Sequence, residues 1–173
     1  NNQSQTISLT GNQANAVFSN VPAGDYILIA KYNGDKIYQG SDASVNVNVK
    51  KATPTITIKT TPLVLNTNIQ IDAVLNGDAT GNVTFRIQGQ YSPRNRTIVN
   101  GNASWLISPL NTGSYNLIVT YNGDNNYESK AVSEILILNQ VQSVLKVSIA
   151  NVNADDDLIV TAALSDVNNH KVS

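Results

Sequence analysis

Tyr26-Ile-Leu-Ile-Ala-Lys-Tyr-Asn-Gly-Asp35 returns as Tyr115-Asn-Leu-Ile-Val-Thr-Tyr-Asn-Gly-Asp124, 89 residues further along the chain. The offset continues without a gap. Ser44 falls opposite Ser133, Ile56 opposite Leu145, Ile58 opposite Val147, Ala73 opposite Ala162, Leu75 opposite Leu164 and Val83 opposite Val172. Self-similarity at a fixed spacing marks a chain built from repeated folding units. Residues 53–141 then form one complete unit. Residues 1–52 are the C-terminal part of the unit before it, and residues 142–173 the N-terminal part of the unit after it. Asn1 aligns with Gln90 and Ser173 with Thr84, so the two flanking parts together lack only the equivalents of Phe85 to Gly89.

Strand signals fill the complete unit. Apolar residues alternate with polar ones at period two, and no segment sustains the 3.6-residue period of a helix. Seven strands are expected: Thr55–Lys59, Ile69–Leu75, Asn82–Ile87, Arg96–Val99, Ala103–Ile107, Ser114–Tyr121 and Ser133–Leu138. Asn76-Gly-Asp-Ala-Thr-Gly81 and Asn100-Gly101 supply turns, being rich in residues that tolerate positive φ. Seven short strands separated by turns fit an all-β, immunoglobulin-like sandwich. With no Cys in the chain, the inter-sheet disulfide of antibody domains is absent. Trp105 is expected to fill the core in its place, because buried aromatics dominate such interiors. In the first part Trp105 aligns with Ala16 and Ile107 with Phe18, two apolar pairs on one strand face. Tyr26 and Tyr115 each follow a glycine at a strand start, the position of a tyrosine corner whose hydroxyl ties back to the main chain.

Half a sandwich cannot bury its inner face and leaves raw sheet edges. Each flanking part must therefore be completed by something. A longer chain with further units would do it, and so would strand exchange between neighbouring chains.

The composition narrows function. Hydrophobic residues make up 41%, enough for a packed core, while charged residues are only 13%. A net charge of −1 argues against nucleic acid, which calls for clustered Lys and Arg, and against a polybasic membrane patch. No apolar run approaches the length of a membrane span.

The residues also carry a resemblance. Lys51-Ala-Thr-Pro-Thr-Ile-Thr-Ile58, Gly81-Asn-Val-Thr-Phe85, Val99-Asn-Gly-Asn-Ala103, Asn111-Thr-Gly-Ser-Tyr115 and Tyr121-Asn-Gly-Asp-Asn-Asn-Tyr127 span the complete unit. In that order they resemble the bacterial Ig-like repeat domains of adhesin-like surface proteins, known in bacteria and methanogenic archaea. The first part carries the latter half of the pattern in Val21-Pro-Ala-Gly-Asp-Tyr26 and Tyr32-Asn-Gly-Asp35. The third departs most, with Ser143 in place of the proline and an acidic stretch from Asn151 to Asp157. The resemblance implies the fold, an extracellular or cell-surface address and a tandem context. It supplies no binding residue.

Chemistry is sparse. The single His, His170, aligns with Gly81 in a turn, and no Cys exists, so the usual nucleophile–base pairs are missing and no enzyme is expected. No cofactor is expected either. Asp155, Asp156 and Asp157 form the one acidic run, a weak Ca²⁺ candidate by ligand type, but their equivalents are Asn66, Thr67 and Asn68 and the spacing matches no EF-hand loop. Lys31 and Asp72 are candidates for an isopeptide cross-link only in residue type. Four Asn-x-Ser/Thr sequons begin at Asn2, Asn82, Asn95 and Asn102. Asn95 and Asn102 are expected in accessible turns, and Asn82 at the start of a strand.

Two functions fit. The first is a structural stalk or filament, with units joined end to end through the short, Pro-stiffened linker Lys50-Lys-Ala-Thr-Pro54. The second is an adhesin module gripping a host or microbial glycan through a loop around Tyr91, with Arg94 and Arg96 nearby. An exposed cluster of aromatics at one loop end would distinguish the second from the first.

Overall fold

The computed structural model describes residues 3–150 and 153–167. Asn2 and His170 lie outside the described residues. In chain order the strands are β1 (Gly24–Tyr32), β2 (Ser41–Val49), β3 (Ile56–Thr60), β4 (Ile69–Leu75), β5 (Asn82–Ile87), β6 (Arg94–Thr97), β7 (Asn102–Ile107), β8 (Gly113–Tyr121), β9 (Lys130–Leu138), β10 (Ser143–Ile149) and β11 (Val160–Asp166). Among the described residues there is no helix.

The central unit, β3 to β9, is a seven-stranded sandwich. One sheet has the order β3-β4-β7 and the other β6-β5-β8-β9, all pairings antiparallel. Alternation fixes which side chains face inward. Ile69, Ile71 and Ala73 of β4 are fully buried, and so are Val83, Phe85 and Ile87 of β5 and Leu117, Val119 and Tyr121 of β8. Each large aliphatic or aromatic side chain removed from water contributes roughly 1.5–3 kcal/mol before entropy is subtracted. Trp105 sits in this core as expected, 6.0 Å from the Phe85 ring centroid.

The expected strands match to within a few residues, with one shift that has a physical cause. β6 runs from Arg94 to Thr97 rather than from Arg96 to Val99. Ile98 leaves the strand to bury itself, its N–H donating to Gly81 O at 2.9 Å, and Val99 bridges Asn102 across the Asn100-Gly101 hairpin. β6 is an edge strand. Arg94 and Arg96 lie opposite Phe85 and Val83, so they occupy its core-side register with exposed charges. Charge on the core side of an edge strand blocks further strand addition.

The flanking parts keep only hairpins. β1 pairs with β2 in the register that β8 keeps with β9: Gly24↔Val49 corresponds to Gly113↔Leu138, and Tyr32↔Ser41 to Tyr121↔Lys130. β10 pairs with β11 as β3 pairs with β4, with Leu145↔Leu164 corresponding to Ile56↔Leu75 and Val147↔Ala162 to Ile58↔Ala73. Residues 3–23 carry no strand. Their central counterparts are β6 and β7, and these pair only with β5 and β4. A strand without its neighbour has no partner for its main-chain N–H and C=O groups. The local turn between them survives, because it needs no neighbour: Thr10↔Gln13 bridges as Val99↔Asn102 does.

Candidate functional site

Sequence and fold converge on the turn that follows β8. Asp124 organises it. One carboxylate oxygen, Oδ1, accepts the N–H groups of Asn126 and Tyr127, each at 2.8 Å. The other, Oδ2, accepts the N–H and the hydroxyl of Thr80, each at 2.9 Å. Burial works against the charge of Asp124, but these donors outweigh it and hold the carboxyl well below the usual carboxylate range. Gly123 makes the turn at φ 80°, where an added Cβ would lie 2.9 Å from Ser129 N. Tyr127 reaches across and donates its hydroxyl to Asp78 Oδ1 at 2.7 Å.

The linker from the preceding unit lies on this turn. Ala52 N donates to Asn126 O at 2.8 Å, and Glu128 N donates to Ala52 O at 3.0 Å, forming a parallel bridge between Ala52 and Tyr127. Lys51 Nζ donates to Asp124 O at 2.5 Å and Lys130 Nζ to Pro54 O at 2.8 Å. Pro54 is fully buried, and Thr55 N donates to Asn76 Oδ1 at 2.9 Å. The preceding unit also touches the turn: Ala23 N donates to Asn126 Oδ1 at 3.1 Å. Five of these hydrogen bonds fasten the stretch from Lys51 to Thr55, so the linker behaves as part of the central unit rather than as a tether.

The first part repeats the turn. Asp35 Oδ1 accepts Ile37 N at 2.8 Å and Tyr38 N at 2.7 Å. Its Oδ2 accepts the Tyr32 hydroxyl at 2.7 Å. In the central unit Thr80 has taken that position. The Tyr121 hydroxyl is buried there without a hydrogen bond, and burial, with Asp124 beside it, pushes its pKa well up. Both tyrosine corners form, Tyr26 to Pro22 O at 2.8 Å and Tyr115 to Asn111 O at 3.0 Å.

The candidate contact loop has a different character from the one its sequence suggests. Tyr91 lies edge-on to Trp105 with centroids 5.6 Å apart, and its hydroxyl donates to Ser108 O at 3.3 Å. It is half-buried and caps the core, so it does not stand out with Arg94 and Arg96 as an exposed aromatic platform. Beside it is only an open depression lined by Arg86, Ile87, Tyr91 and Pro93.

The remaining candidates stay apart. Asp156 Oδ2 accepts the main-chain and side-chain N–H groups of Asn153, closing a turn, and Asp155 and Asp157 are exposed. Among the described residues no group of three or more His, Cys, Asp or Glu could hold a metal. Asp72 accepts from Ser104 at 2.6 Å and from Gln70, with no lysine among its hydrogen-bond partners in the described residues. The sequons at Asn95 and Asn102 are on strands and not in turns. Asn95 lies in β6, where Thr84 donates its hydroxyl to Asn95 Oδ1, and Asn102 opens β7 with its Nδ2 donating to Ser104 at 3.1 Å. Asn82 opens β5 as expected, and it faces Thr97 across the ladder.

Residues 56–137 match the family of the bacterial Ig-like domain (group 3). The central unit is therefore a bacterial Ig-like domain, and the match begins at β3 and ends within β9. No curated protein matches the chain. No helix among the described residues is long and apolar enough to cross a membrane.

Proposed function

We propose that this chain is a stretch of tandem Ig-like units with a period of 89 residues, serving as the stalk or filament of a surface protein that holds another element away from the cell. The observation that carries the reading is the docked linker. Ala52 is bridged to Tyr127, and Lys51 and Pro54 are bonded to the same unit. A module whose only task was to bind would need no such fastening between neighbours. A stalk needs it, because free hinges would let the array collapse. The Tyr-Asn-Gly-Asp turn around Asp35 supports the same reading. It is organised as the turn around Asp124 is, and so offers a place for a preceding linker.

Membership of the central unit in a bacterial Ig-like family supports an extracellular, surface-associated role of the structural or adhesive kind. Between those two, the burial of Tyr91 against Trp105 weighs toward the structural one. The low charge of the chain, 13% of its residues, and its lack of Cys suit a spacer that neither sticks nor reacts. Labelling intact cells with an antibody to the central unit tests the proposal. Density standing off the envelope at a fixed distance supports it, and labelling that appears only after lysis contradicts it.

A further inference from the structure

The outer face of the four-stranded sheet carries two of the sequons, and the ladder interlocks them. Asn82-Val-Thr84 lies in β5 and Asn95-Arg-Thr97 in β6. The antiparallel register sets Asn82 opposite Thr97 and Thr84 opposite Asn95. All four occupy the outer side of the pleat, because Val83 between Asn82 and Thr84 is fully buried. Thr84 donates its hydroxyl to Asn95 Oδ1, while Asn95 Nδ2 makes no hydrogen bond among the described residues.

Access separates the three sequons of the central unit. Asn102 is half-buried, and its Nδ2 donates to Ser104 Oγ at 3.1 Å, which in turn donates to Asp72 Oδ1 at 2.6 Å. A sugar on that nitrogen would break into this chain of bonds. Asn82 is exposed, but β5 is held on both sides, by β6 and by β8, and Asn82 O accepts the N–H of Asn122 at 3.2 Å. β6 is 4 residues long, exposed throughout and paired on one side only. It can lift from the sheet at the loss of a single short ladder, and an enzyme can then take it as extended chain.

We propose that Asn95 is an N-glycosylation site, receiving its glycan from a lipid-linked glycosyl phosphate through a separate transferase. In the transfer Asn95 Nδ2 forms a bond to the anomeric carbon of the sugar. The bond from that carbon to the phosphate oxygen breaks, and the phosphate leaves with the electron pair. The amide nitrogen gives one proton to a base of the transferase. The interlock then limits occupancy. Opposed residues have Cβ atoms about 4.5–5.5 Å apart, so a glycan on Asn95 lies over Thr84, the hydroxyl that the Asn82 sequon needs. A glycan on Asn82 would likewise lie over Thr97. The face therefore holds one glycan and not two. The site is particular to the central unit, since Thr6 stands in the place of Asn95 in the first part and Lys171 in the place of Asn82 in the third. Arg94 and Arg96 already guard the core side of β6, and a glycan on Asn95 guards its outer side against strand addition.

The test uses the protein isolated from the cells that make it. It is digested, and the peptides are fragmented by electron transfer, which leaves glycans attached. The expected result is a glycan on Asn95, none on Asn102, and no molecule carrying glycans on both Asn82 and Asn95. Made in the same cells, Asn95→Gln and Thr97→Val should each lose the whole of that mass increment, and Asn102→Gln should keep it. Thr97→Val leaves the Asn95 amide in place, so a loss there reads recognition of the sequon. An unmodified Asn95, a glycan on Asn102, double occupancy, or an increment that survives either Asn95→Gln or Thr97→Val overturns the proposal. The site stands apart from the stalk reading: surface labelling that stays positive with Asn95 unmodified would remove the site and leave the stalk.

Discussion

Ala52 and Tyr127 pair as a parallel β-bridge, 75 positions apart in sequence, and this bridge fixes the linker of the preceding unit to the turn organised by Asp124. Two main-chain hydrogen bonds close it, and the side chains of Lys51 and Lys130 add bonds to Asp124 O and Pro54 O. The junction is thus built from one unit's linker and the next unit's turn, so events at the turn should be felt in the linker.

Asp124 sets the acid response. Its folded pKa is depressed below an unfolded value of about 3.9. The native state therefore favours the charged form, and the stabilisation is complete above that pH and fades as the pH falls through the folded value. Acid titration of the chain should show loss of stability beginning below about pH 4. Asp124→Asn keeps one acceptor but loses the Thr80 bonds, costing about 2 kcal/mol at neutral pH and flattening the acid limb. Denaturant melts of both chains at several pH values check this.

Gly123 and Gly77 make a matched pair. At Gly123 the backbone is at φ 80° and a Cβ would meet Ser129 N at 2.9 Å, whereas at Gly77 nothing lies within 4 Å. Gly123→Ala should destabilise the central unit by more than about 1 kcal/mol. Gly77→Ala should be neutral or stabilising by a few tenths of a kcal/mol, through restriction of the unfolded chain. Thermal unfolding of the two variants decides it.

Trp105 is the only Trp in the chain, and Tyr91 is its lid. Tyr91→Ser should red-shift tryptophan emission as water reaches the indole, while leaving the fold intact. Trp105→Ala removes the largest core side chain near the lid and should cost about 3–5 kcal/mol. Unchanged emission in Tyr91→Ser would mean that the ring stands in solvent, as an adhesive loop requires.

Each tyrosine corner should contribute modestly. Tyr115→Phe removes the bond to Asn111 O and is expected to cost about 1 kcal/mol, read in a urea melt.

Much of this architecture can be read in the chain because alternation and turn residues act locally. Ile69–Leu75 and Asn82–Ile87 show their bounds outright, and Gly24 and Gly113 announce the corners of Tyr26 and Tyr115. What escapes reading depends on non-local partners. The half-burial of Tyr91 follows from Trp105 lying beneath it, which no spacing reveals. The strand position of Asn95 depends on Ile98 leaving β6 for the core. The four bonds to Asp124 join residues as far apart as Thr80 and Tyr127, and the repeated Tyr-Asn-Gly-Asp motif marks the turn without showing what docks on it. Residues 13–18 read as strand by alternation yet lack one, because pairing needs a neighbour that periodicity cannot supply.

Amide hydrogen exchange at Ala52, read residue by residue in the 173-residue chain, tests the docked linker most directly. The account predicts that the Ala52 N–H is protected, opening only as the central unit unfolds, and that Asp124→Asn speeds its exchange. Exchange of Ala52 at the rate of a free peptide would contradict the account, because the units would then be joined by a loose tether and the array could not stand as a stalk.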